Sequence, residues 1–207
     1  MSLIADALTS LVNMKLYLGI TVTTYDALLE MLINNATGFM YRFTNRNLKA
    51  RDYVHALSAD IPYARYNGDT SKIVILKEYP INSVSELLIN GDTIAAAEST
   101  DYYGSTGYLI YSKEGKLYYA NGFDTGKQNV RVSYNAGYAA DTKEILELEL
   151  LCQELVVLMY YKKDKIAFKS EKWANYSYTM ADMDSIGGGV IDNPTRLLNG
   201  YRRKLSG

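Results

Sequence analysis

Apolar residues recur at spacings of three and four near both ends of the chain and alternate with polar ones in between, so helices are expected to frame a strand-rich middle. Ile4, Ala7, Leu8, Leu11 and Leu18 predict one or two short helices. Gly19 ends them, because a glycine can take the left-handed conformation that satisfies the last carbonyls. Tyr25, Leu28, Leu29, Leu32, Ala36, Phe39, Met40 and Phe43 then predict an amphipathic helix of about 20 residues, opened by Thr23 and Asp26 in capping-box spacing.

The strongest helical pattern comes later. Asp141 and Glu144 stand in capping-box spacing at its start, and Lys162, Lys163 and Lys165 close it, so both ends complement the helix macrodipole. Ile145, Leu148, Leu151, Cys152, Leu155 and Met159 form one apolar stripe. Leu146, Leu150 and Val157 add a second, leaving a narrow polar strip through Glu147 and Glu154, so this helix is expected to be covered on most sides. Unbroken from Asp141 to Lys165, it would be about 37 Å long.

Between residues 53 and 138 the period becomes two and turn residues multiply. Three hairpins in series are predicted. Tyr63 to Tyr66 and Ile73 to Leu76 flank Asn67-Gly68-Asp69, Val84 to Ile89 and Thr93 to Ala97 flank Asn90-Gly91-Asp92, and Tyr108 to Tyr111 and Leu117 to Tyr119 flank Lys113-Glu114-Gly115. A last strand, Val130 to Tyr134, precedes a turn at Ala136-Gly137. From Lys169 to Asn193 no period is sustained, which reads as a loop or extended arm. Asn193 as cap, Pro194 at the first helical position and Leu197, Leu198 and Tyr201 on one face mark a C-terminal helix ending in Arg202-Arg203-Lys204. The expected fold is α+β: N-terminal helices over 1–50, a β-hairpin-rich insertion over 51–138, a long core helix over 139–168, and an arm with a C-terminal helix over 169–207.

Composition narrows the chemistry. The 207 residues are 48% hydrophobic and 22% charged, enough for a real core. Lys plus Arg is 22 against 23 for Asp plus Glu, so there is no chain-wide basic field to hold nucleic acid or anionic lipid. The longest apolar run, Leu155 to Tyr161, is far shorter than the roughly 20 residues of a bilayer-spanning helix, so no membrane partner is expected. The first residues lack the basic region of a secretory signal, so cytoplasmic synthesis is expected.

One histidine and one cysteine remove most catalytic and metal sets. His55 stands without a glycine-flanked serine motif, and Cys152, on an apolar stripe, reads as a small buried hydrophobe. Asp182 and Asp184 could place two carboxylates on one side of an extended segment to touch a hard cation, but a solvated acidic loop is the better explanation. Gly187, Gly188 and Gly189 lack the Lys-Ser/Thr pair of a phosphate-binding loop. No catalytic, cofactor-binding or metal residue is assigned, and no enzyme activity is expected. Many of the 20 tyrosines lie in the strand region, where cross-strand packing accounts for much of their excess; the alternative use of such a sheet is a small module that binds a glycan or other ligand. After residue 160 the chain carries nine Lys or Arg against five Asp or Glu, while the rest is acidic, a polarity that head-to-tail self-association can use.

Several segments, in order, resemble the head-to-tail connector, or adaptor, proteins of tailed bacteriophages. Met14 to Ile20, Tyr25 to Leu29 and Phe39 to Asn47 look like that family's opening helices. Tyr66-Asn67-Gly68-Asp69 with Leu76 and Tyr79 to Val84 resemble its first hairpin and the turn after it. Val130 to Tyr134 with Ala136-Gly137-Tyr138 resembles the strand and turn that lead into the long helix. Tyr160 to Asp164, Tyr176-Ser177-Tyr178 and the Arg-rich C-terminal helix are similar to the closing elements, whereas Asn90 to Lys127 is longer than in compact members.

The resemblance implies a structural protein of the virion neck, assembled in the host cytoplasm. It implies a homo-oligomeric ring of about a dozen subunits beneath the portal protein, continuing the DNA channel toward a head-closure or tail protein, with transient contact to passing DNA. Interface roles toward the portal or a neighbouring subunit are expected for Trp173, Tyr176, Tyr178, Arg196, Arg202, Arg203 and Lys204. Deleting 190–207 is then expected to abolish docking and spare the fold; if Leu197, Leu198 and Tyr201 instead pack on the core, the deletion unfolds it.

Overall fold

A computed structural model describes residues 2–54, 64–98, 100, 101, 103, 105–162, 170–173, 176–179 and 194–203. The fold is α+β, and the chain divides into two units, Met1–Arg46 with Lys143–Gly207, and Asn47–Thr142.

The first unit holds α1 (Leu11–Leu18), α2 (Asp26–Thr44), α3 (Lys143–Lys162) and α4 (Pro194–Tyr201). Ser10 caps α1 by accepting from the Asn13 N–H at 3.0 Å, and Gly19 closes it at φ 68°. Residues 4–8, expected to be helical, instead form a turn whose donors are taken by α2. The Ile4 N–H donates to Asn34 Oδ1 at 3.0 Å and the Leu8 N–H to Thr37 Oγ1 at 3.3 Å. Along α2, Leu29, Ile33, Ala36 and Met40 repeat at four, three and four and are fully buried. α2 packs against α1, α3 and α4, so it is the centre of this unit.

Neither expected capping box forms. Asp26 is the first residue of α2, and its carboxylate receives Lys15 Nζ at 2.7 Å; only its N–H meets Thr23, at the carbonyl, 3.0 Å away. Asp141 sits at φ 65°, two residues ahead of Lys143, where an extended cap residue cannot be. Lys163 and Lys165 lie outside the described residues.

The second unit contains β1 (Arg51–Tyr53), β2 (Arg65–Gly68), β3 (Ile73–Ile75), β4 (Ile81–Ile89), β5 (Asp92–Thr93), β6 (Tyr108–Tyr111), β7 (Lys116–Tyr119) and β8 (Gly126–Ala136). One sheet runs β1-β8-β4-β5 with β2 also on β8; the other runs β3-β7-β6. The two share one core, to which Val74, Leu76 and Leu117 contribute from one side and Leu87, Val130 and Val132 from the other, with Phe123 fully buried among them.

Two of the three expected hairpins form. β4 and β5 pair across Asn90 and Gly91, both at positive φ as a two-residue turn of this hand requires. β6 and β7 pair across a 3-10 turn closed by Gly115. The first expected hairpin is corrected: β2 pairs with β8 and β3 with β7, so residues 69–72 cross between sheets. Two short strands around an Asn-Gly turn satisfied the local rule, but each finds a longer ladder elsewhere. β8 outruns the predicted Val130 to Tyr134 because partners on both edges extend it, with β4 along one and β1 and β2 along the other. Gly137 then leaves β8 at φ 111°, where an added Cβ would stand 2.5 Å from the Lys49 carbonyl oxygen.

Candidate functional site

The residues expected to dock a partner fall on two elements. Ser170–Trp173 (β9) and Tyr176–Thr179 (β10) pair antiparallel, with Trp173 opposite Tyr176 and Glu171 opposite Tyr178. The three aromatic positions therefore meet on one small ladder. A loop or arm was the expectation from periodicity, and strands of four residues are too short for alternation to stand out. Arg196 is exposed on α4, and Arg202 is exposed just beyond it. Arg203 is half-buried, its N–H donating to the Thr44 carbonyl at 2.9 Å, and Lys204 lies outside the described residues.

α4 is itself packed. Leu198 is 0% exposed, Leu197 and Tyr201 are half-buried, and the Tyr201 hydroxyl donates to Glu147 at 2.5 Å. Deleting 190–207 therefore removes a core contact, and the expectation that it spares the fold gives way to its competitor.

Little in the described residues supports bond-making chemistry. Cys152 is fully buried with Thr37 Oγ1 at 3.8 Å, and its thiol is pushed up to about 11, chiefly by burial, against the Thr37 hydrogen bond and with the charge of Glu149 adding. Among the described residues no group of three His, Cys, Asp or Glu is placed to hold a metal, and no helix is long and apolar enough to cross a membrane. His55, Asp182, Asp184 and the glycines at 187–189 lie outside the described residues.

The tyrosines of the larger sheet serve its core. Tyr53 stacks on its register partner Tyr134 with centroids 5.1 Å apart, and the Tyr66 and Tyr134 hydroxyls lie 3.3 Å apart. The Tyr66 hydroxyl also accepts the Lys77 N–H at 3.0 Å, and burial raises the Tyr134 phenol far above its ordinary range. A polar cleft of about 160 Å³ beside Asn90 and Tyr119 has its amides already engaged: Asn90 Nδ2 donates to Asp124 and Asn121 Nδ2 to the Tyr119 hydroxyl, each at 3.0 Å.

Two open apolar surfaces escaped the pattern reading. Between α1 and α3 runs a groove of about 300 Å³ whose walls are Leu16 and Tyr17 on one side and Leu146 and Leu150 on the other. Leu16 is 81% and Leu146 55% exposed, so among the described residues the first part of the second stripe of α3, Leu146 and Leu150, expected to be covered, is open, whereas Val157 is half-buried. At the groove floor Glu149 Oε1 accepts from Asn13 Nδ2 at 2.7 Å and Thr9 Oγ1 at 2.9 Å. Glu154 is half-buried with its carboxyl raised by burial, and its charge, after burial, helps raise the Tyr17 phenol. The second surface is the outer face of β3-β7-β6. Register puts Ile73, Ile75, Leu109, Tyr111 and Tyr118 together there, with Ile75 42% and Tyr111 47% exposed. The run Ile73-Val74-Ile75-Leu76 is apolar throughout, so alternation could not show which face is open.

The sequence profile of the head completion protein family matches residues 7–184. No curated protein sequence matches the chain. Among solved structures, a chain from the neck of an empty GTA particle computed with C6 symmetry is similar at a TM-score of 0.54 and 15% identity, with 100% of this chain and 96% of that one covered. A chain from the neck of a native GTA particle computed with C12 symmetry gives 0.55 at 14% identity, with the same coverage. At such identity the likeness speaks for the fold, in which helices and antiparallel sheets recur together. With the profile spanning most of an α+β chain whose segments already follow the connector order, this protein belongs to the head completion protein family of head-to-tail connectors.

Proposed function

We propose that copies of this chain close into a ring of about a dozen subunits beneath the portal, continuing the DNA channel toward a head-closure or tail protein. Assembly takes place in the host cytoplasm, and the ring resides in the neck of the finished virion. The observation that carries this reading is the family match across residues 7–184. The fold shared with chains from particle necks computed with sixfold and twelvefold symmetry supports it. A net charge of −1 suits a conduit, because a lumen dense in Lys and Arg would hold sliding DNA through counterion release.

In this reading the β9–β10 ladder with Trp173, Tyr176 and Tyr178, and the cations Arg196, Arg202, Arg203 and Lys204, contact the portal or a neighbouring subunit. Native mass spectrometry over a concentration series, without and with the portal ring, tests the assembly. A closed species of about twelve subunits under either condition is expected; a strict monomer under both would overturn the proposal. Because α4 is packed, docking is tested by Arg196→Glu with Arg202→Glu rather than by deletion. Lost portal binding with unchanged circular dichroism is the expected result, and full binding refutes the assignment.

A further inference from the structure

A ring requires two different patches on each subunit, each fitting the other on the next copy. The chain exposes two apolar surfaces of opposite electrostatic character. From Glu144 to Tyr161, α3 carries Glu144, Glu147, Glu149 and Glu154 and no Lys or Arg. Of these, Glu149 lines the floor of the α1/α3 groove and Glu154 lies close enough to Tyr17 for its charge to act on that phenol, and among the described residues neither has an ion-pair partner, so the groove is an apolar slot with acid at its floor and beside it. The outer face of β3-β7-β6 has the reverse rim. Lys72 and Lys113 are exposed beside it, and Lys116 lies on it, with Glu114, 2.7 Å from Lys116, as the acid.

We infer that the α1/α3 groove of one subunit receives the outer face of the β3-β7-β6 sheet of the next copy of this chain. The inference rests on the ring reading and names its contact. Three observations carry it. Both surfaces present large aliphatic or aromatic side chains to solvent, in contiguous patches of the kind that mark interaction sites rather than ordinary monomer surface. Their rims are complementary, acidic on the helices and basic on the sheet, which favours groove-to-sheet pairing and opposes groove-to-groove pairing through like charge. The groove is preformed, since Glu149 ties α1 to α3 through Asn13 and the segment before α1 through Thr9, so little order has to be gained on binding. Ile73, Ile75 and Tyr111 are the side chains that enter; Leu16 and Leu146 flank them.

Cross-linking and complementation test this on the full chain. Leu16→Cys and Ile75→Cys variants, mixed at high concentration with a flexible bismaleimide, should give a covalent dimer that neither variant gives alone; Cys152 is buried and does not compete. Leu16→Asp and Ile75→Asp should each abolish the closed species, yet together form a heterodimer, because each retains the surface the other has lost. Lys113→Glu, in a turn, keeps the strands intact should Ile75→Asp fail to fold, and should weaken self-association about tenfold at low salt and less at high salt. Dimers from Leu16→Cys alone, or a closed species that survives both Asp variants, would overturn the assigned contact while leaving the ring in place. Wild-type chain that stays monomeric with and without the portal, and gives no cross-link in the mixture, removes the ring reading and this contact together.

Discussion

Leu198→Ala separates a packed C-terminal helix from a docking arm. Leu198 is wholly buried, and α4 has only eight residues, too few to be helical alone in water. Its stability is therefore its docking free energy, to which Leu198, the Tyr201–Glu147 hydrogen bond and the Arg203–Thr44 main-chain bond contribute. Truncating a buried leucine to alanine costs about 2–5 kcal/mol, and the lower end applies where a short terminal helix can settle into the space. A loss of about 2–3 kcal/mol multiplies the local opening constant roughly 30- to 150-fold. Hydrogen exchange read by mass spectrometry on peptides covering 194–203 should show that acceleration, while peptides from the middle of α2 and α3 keep their protection. Unchanged exchange over 194–203 would refute the argument, since it would mean that Leu198 does not hold the helix. Simultaneous loss of protection in α2 and α3 would instead make α4 part of one cooperative unit with them, and would refute local opening as the mechanism.

Other outcomes follow from single residues. Gly137→Ala should lower stability by at least about 2 kcal/mol in urea titration, because it combines a left-handed φ with a clash on the Lys49 carbonyl. Gly38→Ala, inside α2 with open space around its Cβ position, should raise stability by roughly 0.5–1 kcal/mol in the same assay. Cys152 should react with a thiol reagent at pH 8 only as fast as the protein opens. Its folded value of about 11 lies above the ordinary value near 9, so the unfolded chain ionises first. The stabilisation is complete below pH 9 and is lost as pH rises toward 11, at up to about 1.4 kcal/mol per pH unit, and Cys152→Ala should flatten that portion of the curve. Tyr134 and Tyr108, both raised by burial, act in the same direction from pH 10 upward, so alkaline unfolding should persist in that variant.

The parts of the fold legible in the sequence are those in which one element meets its partner through its own periodicity. The stripe Leu29, Ile33, Ala36 and Met40 reads as a helix and is buried as one. Asn90-Gly91 reads as a tight hairpin, and its residues take the backbone angles that turn demands. What was not legible depends on choices among partners. Nothing local tells Arg65 to Gly68 to pair with β8 and Ile73 to Ile75 with β7 rather than with each other, because both pairings satisfy the same strands and only the shared core favours one. Caps failed for a similar reason: Thr23 and Asp26 have the right spacing, but Lys15 offers the Asp26 carboxylate an opposite charge at 2.7 Å, and the helix begins at Asp26 itself.

The candidate site was hidden for a deeper reason. Leu146 and Leu150 on α3, and Ile73 and Ile75 on β3, carry the same side chains at the same spacings as their buried neighbours Leu148, Leu151 and Val74. Periodicity reports only that a face is apolar, not whether the cover comes from the same chain or from another. An interface that stays closed for the life of an assembly resembles a core cut in half, so its residues read as core until the fold shows them exposed among the described residues. Charge supplies what hydrophobic pattern lacks. Glu149 at the groove floor and Glu154 beside Tyr17 place acid along the open stripe of α3, while the exposed Lys72 and Lys113, with Lys116 on the face itself, place base along the open sheet, an arrangement with no use inside one subunit's core. A core interface for a second copy would need this combination: apolar faces for affinity, and opposite rims so that each copy accepts the next in one orientation.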